Sequence, residues 1–188
     1  INLAEIFAET GKLEKAIECY ELVAKTNPDN TDIYLSWGMT LQKSGEHFEA
    51  VQKIEKALEL NPDHTRTKYY LAISLGEIGE GERAEKLFEE VLEDDPRYVE
   101  AHMKLGSIAS MQRDFYKAIE RYKVAAGHHS KRAEANYCIA STYSIIGKYR
   151  ESLEYYHQAI ESDHEHIDAY VGYAVALSEL DEDQEAVR

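Results

Sequence analysis

The chain has 188 residues, 36 of them acidic and 21 basic, for a net charge of −15 at neutral pH. Such an excess of negative charge repels phosphate backbones and argues against general nucleic-acid binding. The sequence holds no run of apolar residues long enough to span a membrane, and its two cysteines are too few for a disulfide framework.

The predicted elements come in pairs of helices. In residues 1–30, Leu3, Ala4 and Phe7 mark one helical face, Gly11 breaks the chain, and Ala16, Tyr20 and Ala24 mark a second face ahead of Pro28. Residues 31–64 show the pattern in full. Tyr34 to Lys43 and Phe48 to Leu60 read as helices, because small or apolar residues recur there at three- and four-residue spacing. Ser44-Gly45 breaks the chain between them. Asn61-Pro62-Asp63 ends the second helix, since proline disfavours helix in the residue before it. Gly38 and Ala50 lack bulk where two helices must approach, and Trp37, Leu41 and Ile54 fill the space between neighbours.

Residues 65–98 repeat the pattern with Leu71, Ala72, Leu75, Gly79, Ala84, Phe88, Val91 and Pro96. Residues 99–132 follow with Leu105, Gly106, Ala109, Ala118, Tyr122 and Ala125, and put Arg113 in the glycine place. Residues 133–166 carry Ile139, Ala140, Tyr143, Gly147, Ser152, Tyr156 and Ala159. Residues 167–188 bring Tyr173, Ala174 and Leu177, then Asp181 in the glycine place and Ala186 in the small-residue place. The chain is therefore expected to turn at Asp181-Glu182-Asp183 and enter a further second helix. Pro28, Pro62 and Pro96 stand thirty-four residues apart. Where the next two prolines would fall, His128-His129-Ser130 and Asp163-His164 predict looser linkers or longer second helices.

With this register, the chain resembles the tetratricopeptide repeat family over essentially its whole length. Ser36-Trp37-Gly38, Ala57-Leu58-Glu59-Leu60-Asn61-Pro62 and Lys68-Tyr69-Tyr70-Leu71-Ala72 carry the likeness. The resemblance implies an all-α, right-handed solenoid of helix–turn–helix repeats whose role is protein–protein interaction. Repeats are expected at 31–64, 65–98, 99–132 and 133–166, with partial repeats at 1–30 and 167–188, in one continuous domain. Both ends fall inside repeats, so the chain reads as a piece of a longer protein. Its open ends favour end-to-end self-association.

The resemblance also implies a concave groove lined by first-helix residues. Mapped here, the lining runs Glu5, Leu35, Met39, Gln42, Tyr69, Ile73, Glu77, Met103, Ser107, Met111, Tyr137, Ser141, Ile145, Val171 and Val175. The peptide-binding candidates among these are Leu35, Met39, Tyr69, Ile73, Met103, Ser107, Met111, Tyr137, Ser141 and Val171. An apolar, methionine-bearing lining suits an amphipathic helix or an extended segment with hydrophobic anchors. The same residues also suit packing between adjacent first helices. A carboxylate clamp would need Lys, Asn and Arg where Leu35, Met39, Tyr69, Ile73 and Met103 stand. An asparagine ladder would need asparagine at Ser36, Tyr70, Lys104 and Cys138. Neither pattern is present.

Arg113, Lys117, Arg121, Lys123, Lys131 and Arg132 form one basic cluster, either a solvated face with Asp114 and Glu120 as partners or a docking patch for an acidic protein. His157, His164 and His166, like His128-His129, have no metal-site spacing and read as linker histidines. No phosphate loop is present. The chain is thus expected to be no enzyme, to need no cofactor or metal, and to bind a protein or peptide in its groove. The regulatory or substrate-recruiting array of a larger enzyme and a self-assembling scaffold are the alternatives. Cys19 and Cys138, far apart in the array, suit a reducing, cytoplasmic setting.

Overall fold

The computed structural model describes residues 2–186, with side chains through residue 180. Among the described residues it contains α-helices and one 3-10 turn, and no strand. The chain divides into two compact units, Ile1–Pro96 and Arg97–Arg188.

The first unit holds α1 (Asn2–Glu9), α2 (Leu13–Thr26), α3 (Thr31–Ser44), α4 (His47–Leu60), α5 (Thr65–Glu77) and α6 (Gly81–Asp94). Helix α3 begins three residues before the predicted Tyr34. The Asn30 side chain explains this, since it accepts hydrogen bonds from the amides of Asp32 and Ile33 and so caps the helix. The glycine turns are left-handed, with φ of 74° at Gly11, 82° at Gly45 and 88° at Gly79. Each turn folds the second helix back on the first. Ala16, Ala50 and Ala84 are buried at the seams, and Tyr20, Ile54 and Phe88 fill the space beside them. At Gly38 a methyl group would overlap Ile54 Cγ1 and lie 3.3 Å from the Ala50 carbonyl oxygen. The close approach expected there is real, and it needs the missing side chain.

The second unit holds α7 (Val99–Met111), α8 (Phe115–Ala126), α9 (Arg132–Ile145), α10 (Tyr149–Ser162) and α11 (Ile167–Ala186), with a 3-10 turn at His129–Lys131. Ala109, Ala118, Ile119, Tyr122 and Ile139 form one buried cluster, and Met103, Cys138 and Tyr143 pack against it. A second cluster joins Ala140, Tyr156, Ala159, Ala169 and Ala176. Arg113 takes the same turn as the glycines, at φ 64°. The turn between α7 and α8 thus forms without glycine.

Two expectations need correction. Missing prolines do not lengthen the second helices: α8 has 12 residues and α10 has 14, against 14 in α2, α4 and α6. After α8 the chain makes the tight 3-10 turn. After α10 the Asp163 carboxylate accepts the Glu165 amide at 2.9 Å, a turn that needs no proline. Nor does the chain turn at Asp181: α11 runs unbroken through Ala186, and residues 178–186 hold neither glycine nor proline. The predicted small-residue role of the Ala186 side chain lies outside the described residues.

Candidate interaction site

Residues four apart on a helix share a face, so the predicted lining becomes short stripes, one on each first helix. In the first unit these run through Leu35 and Met39 on α3 and through Tyr69, Ile73 and Glu77 on α5. Leu35 is only 4% exposed and Tyr69 only 8%. The Tyr69 ring meets Tyr70 edge-on at 5.3 Å and Phe88 at 5.7 Å. Met39 and Ile73 are half-buried. Gln42 is committed to the fold: its amide donates to the Tyr70 carbonyl at 2.7 Å and to Ser74 Oγ at 2.6 Å, tying α3 to α5. Glu5, Glu9, Met39, Lys43 and Arg66 border a cavity of about 230 Å³ that also meets Tyr20 and Thr40. Burial pushes the Tyr20 hydroxyl pKa up, so it stays a neutral donor there.

In the second unit the stripes run through Met103, Ser107 and Met111 on α7, through Tyr137, Ser141 and Ile145 on α9, and through Val171 and Val175 on α11. Their outer members are open: Met111 is 75% exposed, Ile145 61%, Val171 57% and Val175 54%. Ser107 is exposed, and its hydroxyl hydrogen-bonds Tyr122, whose own pKa burial drives far up. Met103 leans into the core, and Ser141 is half-buried. Tyr137 packs against Tyr156 at 6.1 Å and His166 at 4.9 Å. Behind the stripes, burial raises the Cys138 thiol to about 11 and keeps it protonated.

The basic cluster is largely engaged. Asp114 caps α8 by accepting the Lys117 amide. Lys123 lies 5.7 Å from the Tyr155 ring centre. Lys131 pairs with Glu134 at 2.7 Å, and Arg132 Nε donates to the Ala126 carbonyl. The histidines also work locally. His166 Nδ1 accepts the Ala169 amide at the start of α11, and His157 faces Glu161 at 3.6 Å. Among the described residues, no three His, Cys, Asp or Glu side chains gather as a metal site. No described helix is long and apolar enough to cross a membrane.

One feature escaped the sequence reading. Lys68, at the start of α5, reaches Asp94 at the end of α6 at 2.7 Å, and Thr65 donates to the same carboxylate at 3.3 Å. A lysine and an aspartate twenty-six residues apart become partners only once a hairpin brings the two helix ends together.

Consecutive helix hairpins with small residues at their seams and apolar stripes on their first helices define a helical-repeat protein, a builder of recognition surfaces. Two tetratricopeptide repeat models match the chain, one over residues 41–108 and the other over residues 1–30 and 133–166, together most of its length. The chain belongs to the tetratricopeptide repeat family, whose all-α solenoids act as protein-interaction scaffolds. No curated protein matches it significantly. Among solved structures it is similar to the crystal structure of MamA, at 23% identity and TM-score 0.78, covering 88% of this chain and 96% of that one. YrrB, described as a TPR protein with an unusual peptide-binding site, matches at 20% identity and TM-score 0.71, covering 90% and 88%. TTC0263 of Thermus thermophilus matches at 21% and 0.71, covering 94% and 96%. At these identities the likeness shows the fold.

Proposed function

We propose that this chain is a non-catalytic scaffold that holds an amphipathic helix or a peptide with apolar anchors against its first-helix face. One observation carries the reading. Met111 and Ile145 occupy the same place in successive repeats, both project into solvent, and Val171 and Val175 extend the apolar surface on α11. An apolar row repeated on parallel helices fits anchors spaced along one ligand. Methionine adapts to varied partners at little cost. The half-buried Met103 and Tyr137 form the floor of the row, and Ser107 and Ser141 supply hydroxyls between the anchors. In the first unit, Met39 and Ile73 are the accessible candidates, while Leu35 and Tyr69 act through packing. YrrB, described as having an unusual peptide-binding site, is a precedent for peptide binding by a protein of this fold.

The test is selection of peptides from a display library on the intact chain, followed by titration against the Met111→Ser, Ile145→Ser double variant. Binding is expected to weaken about a hundredfold, the loss of two buried anchors. Phe48→Ser, at an exposed apolar position on α4, should leave it unchanged. Equal affinity for the double variant and the parent would remove the first-helix face from the account.

A further inference from the structure

A second cavity, of about 340 Å³, lies in the hairpin of α9 and α10, lined by His129, Arg132, Asn136, Gln158, Glu161 and Ser162. Its origin is visible in the repeat register. Asn136 and Ser162 stand two periods after Lys68 and Asp94. In the α5–α6 hairpin the long lysine side chain crosses to the carboxylate and bridges the two helices with an ion pair. In the α9–α10 hairpin the side chains in those two places are short and neutral, and the space stays open. Asn136 is only 4% exposed. Its carboxamide makes no hydrogen bond among the described residues and opens onto the cavity, so its donors and acceptor are free to meet a ligand. The Ser162 hydroxyl donates to the Gln158 carbonyl at 2.7 Å, which leaves its lone pairs facing outward as acceptors.

We propose that this cavity is a subsite for an amide group, supplied by a peptide main chain or by a glutamine or asparagine side chain. A carboxamide presents a donor and an acceptor side by side in one plane. Another amide satisfies both at once, whereas a lone cation or anion answers only one. The charges at the rim support this choice, because Arg132 and Glu161 oppose each other and leave no net sign to select an ion. The site uses none of the apolar stripe residues, so it stands or falls independently of the first-helix face.

The experiment follows the Asn136 side-chain NH2 signals by NMR as the intact chain is titrated with two probes. N-acetylglutamine methylamide carries a primary carboxamide, and N-acetylalanine methylamide carries only main-chain amides. Saturable shifts at Asn136 and Gln158 are expected with at least one probe, and the tighter probe identifies the source of the amide. The control is the Asn136→Lys, Ser162→Asp double variant, which places the residues of the α5–α6 ion pair across the cavity, with circular dichroism to check that it is folded. It should lose the response by about tenfold or more in affinity. Asn136→Leu serves the same purpose should the rebuilt pair fail to form. No saturable shift with either probe would overturn the proposal, and so would equal responses from the parent and a folded, filled variant.

Discussion

Replacing Gly38 by alanine tests the packing of the first unit most directly. Alanine in a helix interior gains roughly 1 kcal/mol over glycine from backbone propensity. At Gly38 the added methyl would overlap Ile54 Cγ1, lie 3.0 Å from Ile54 Cδ1 and lie 3.3 Å from the Ala50 carbonyl. Carbon atoms prefer separations of about 3.5–4.0 Å, and Ile54 is fully buried with nowhere to go. Overpacking of this kind costs about 1–3 kcal/mol. The same substitution at Gly76 has its nearest new contact at 4.0 Å, from Ala84 Cβ, an ordinary distance. Gly76→Ala should therefore stabilise the unit by about 0.5–1 kcal/mol. The two variants share the propensity gain and the unit, so the difference between them isolates the packing cost of about 1–3 kcal/mol. Denaturant melts would measure it, with hydrogen exchange of the α3 and α4 amides to localise the loss, since repeat arrays need not unfold in one step. In an Ile54→Ala background the penalty at Gly38 should vanish, a coupling of about 1 kcal/mol or more. Equal stability of the Gly38→Ala and Gly76→Ala proteins would refute the close approach of α3 and α4.

Arg113→Gly should stabilise the second unit by about 0.5–1 kcal/mol, because arginine is held in a left-handed conformation that glycine adopts freely; a thermal melt checks it, and a lower midpoint would count against that geometry. Asn30→Ala should cost about 1 kcal/mol by uncapping α3, seen as faster exchange of the Asp32 and Ile33 amides. Lys68→Met should lower the melting temperature at neutral pH. The hydrogen bond from Lys68 holds the Asp94 carboxyl below its ordinary range, and the bond to Asp94 raises Lys68. Both shifts describe one ion pair, so its stabilisation is full between about 4 and about 10.4, is lost as pH falls through the lowered carboxyl value, and is lost as pH rises through the raised lysine value. Parent and variant should converge in strong acid, and a gap that survives there would point to packing of the lysine stem instead.

The fold was legible because a thirty-four-residue period repeats many independent demands, so a single exception such as Arg113 does not hide the rule. Burial within the lining was harder to read. Leu35 and Met111 both lie on first-helix stripes, yet one is covered and the other open. That difference depends on which neighbouring side chains reach across, as with Gln42 between α3 and α5, and no single helix encodes it. The cavity beside Asn136 was equally hidden, since it arises from the absence of a long side chain and becomes apparent only beside the filled hairpin of the other unit.

Cys138 gives the molecule a built-in clock. Thiols react with maleimides and disulfide reagents as thiolates, and at about 11 this one is almost entirely protonated at neutral pH while packed against the Tyr122 cluster. Half-buried and protonated, this thiol should label slowly in the native chain and faster whenever the α9 segment opens. With Cys19 replaced by serine, the rate of alkylation at Cys138 follows those openings. A bound ligand that clamps α9 should slow the count in proportion to its occupancy, whatever the chemistry of that ligand turns out to be.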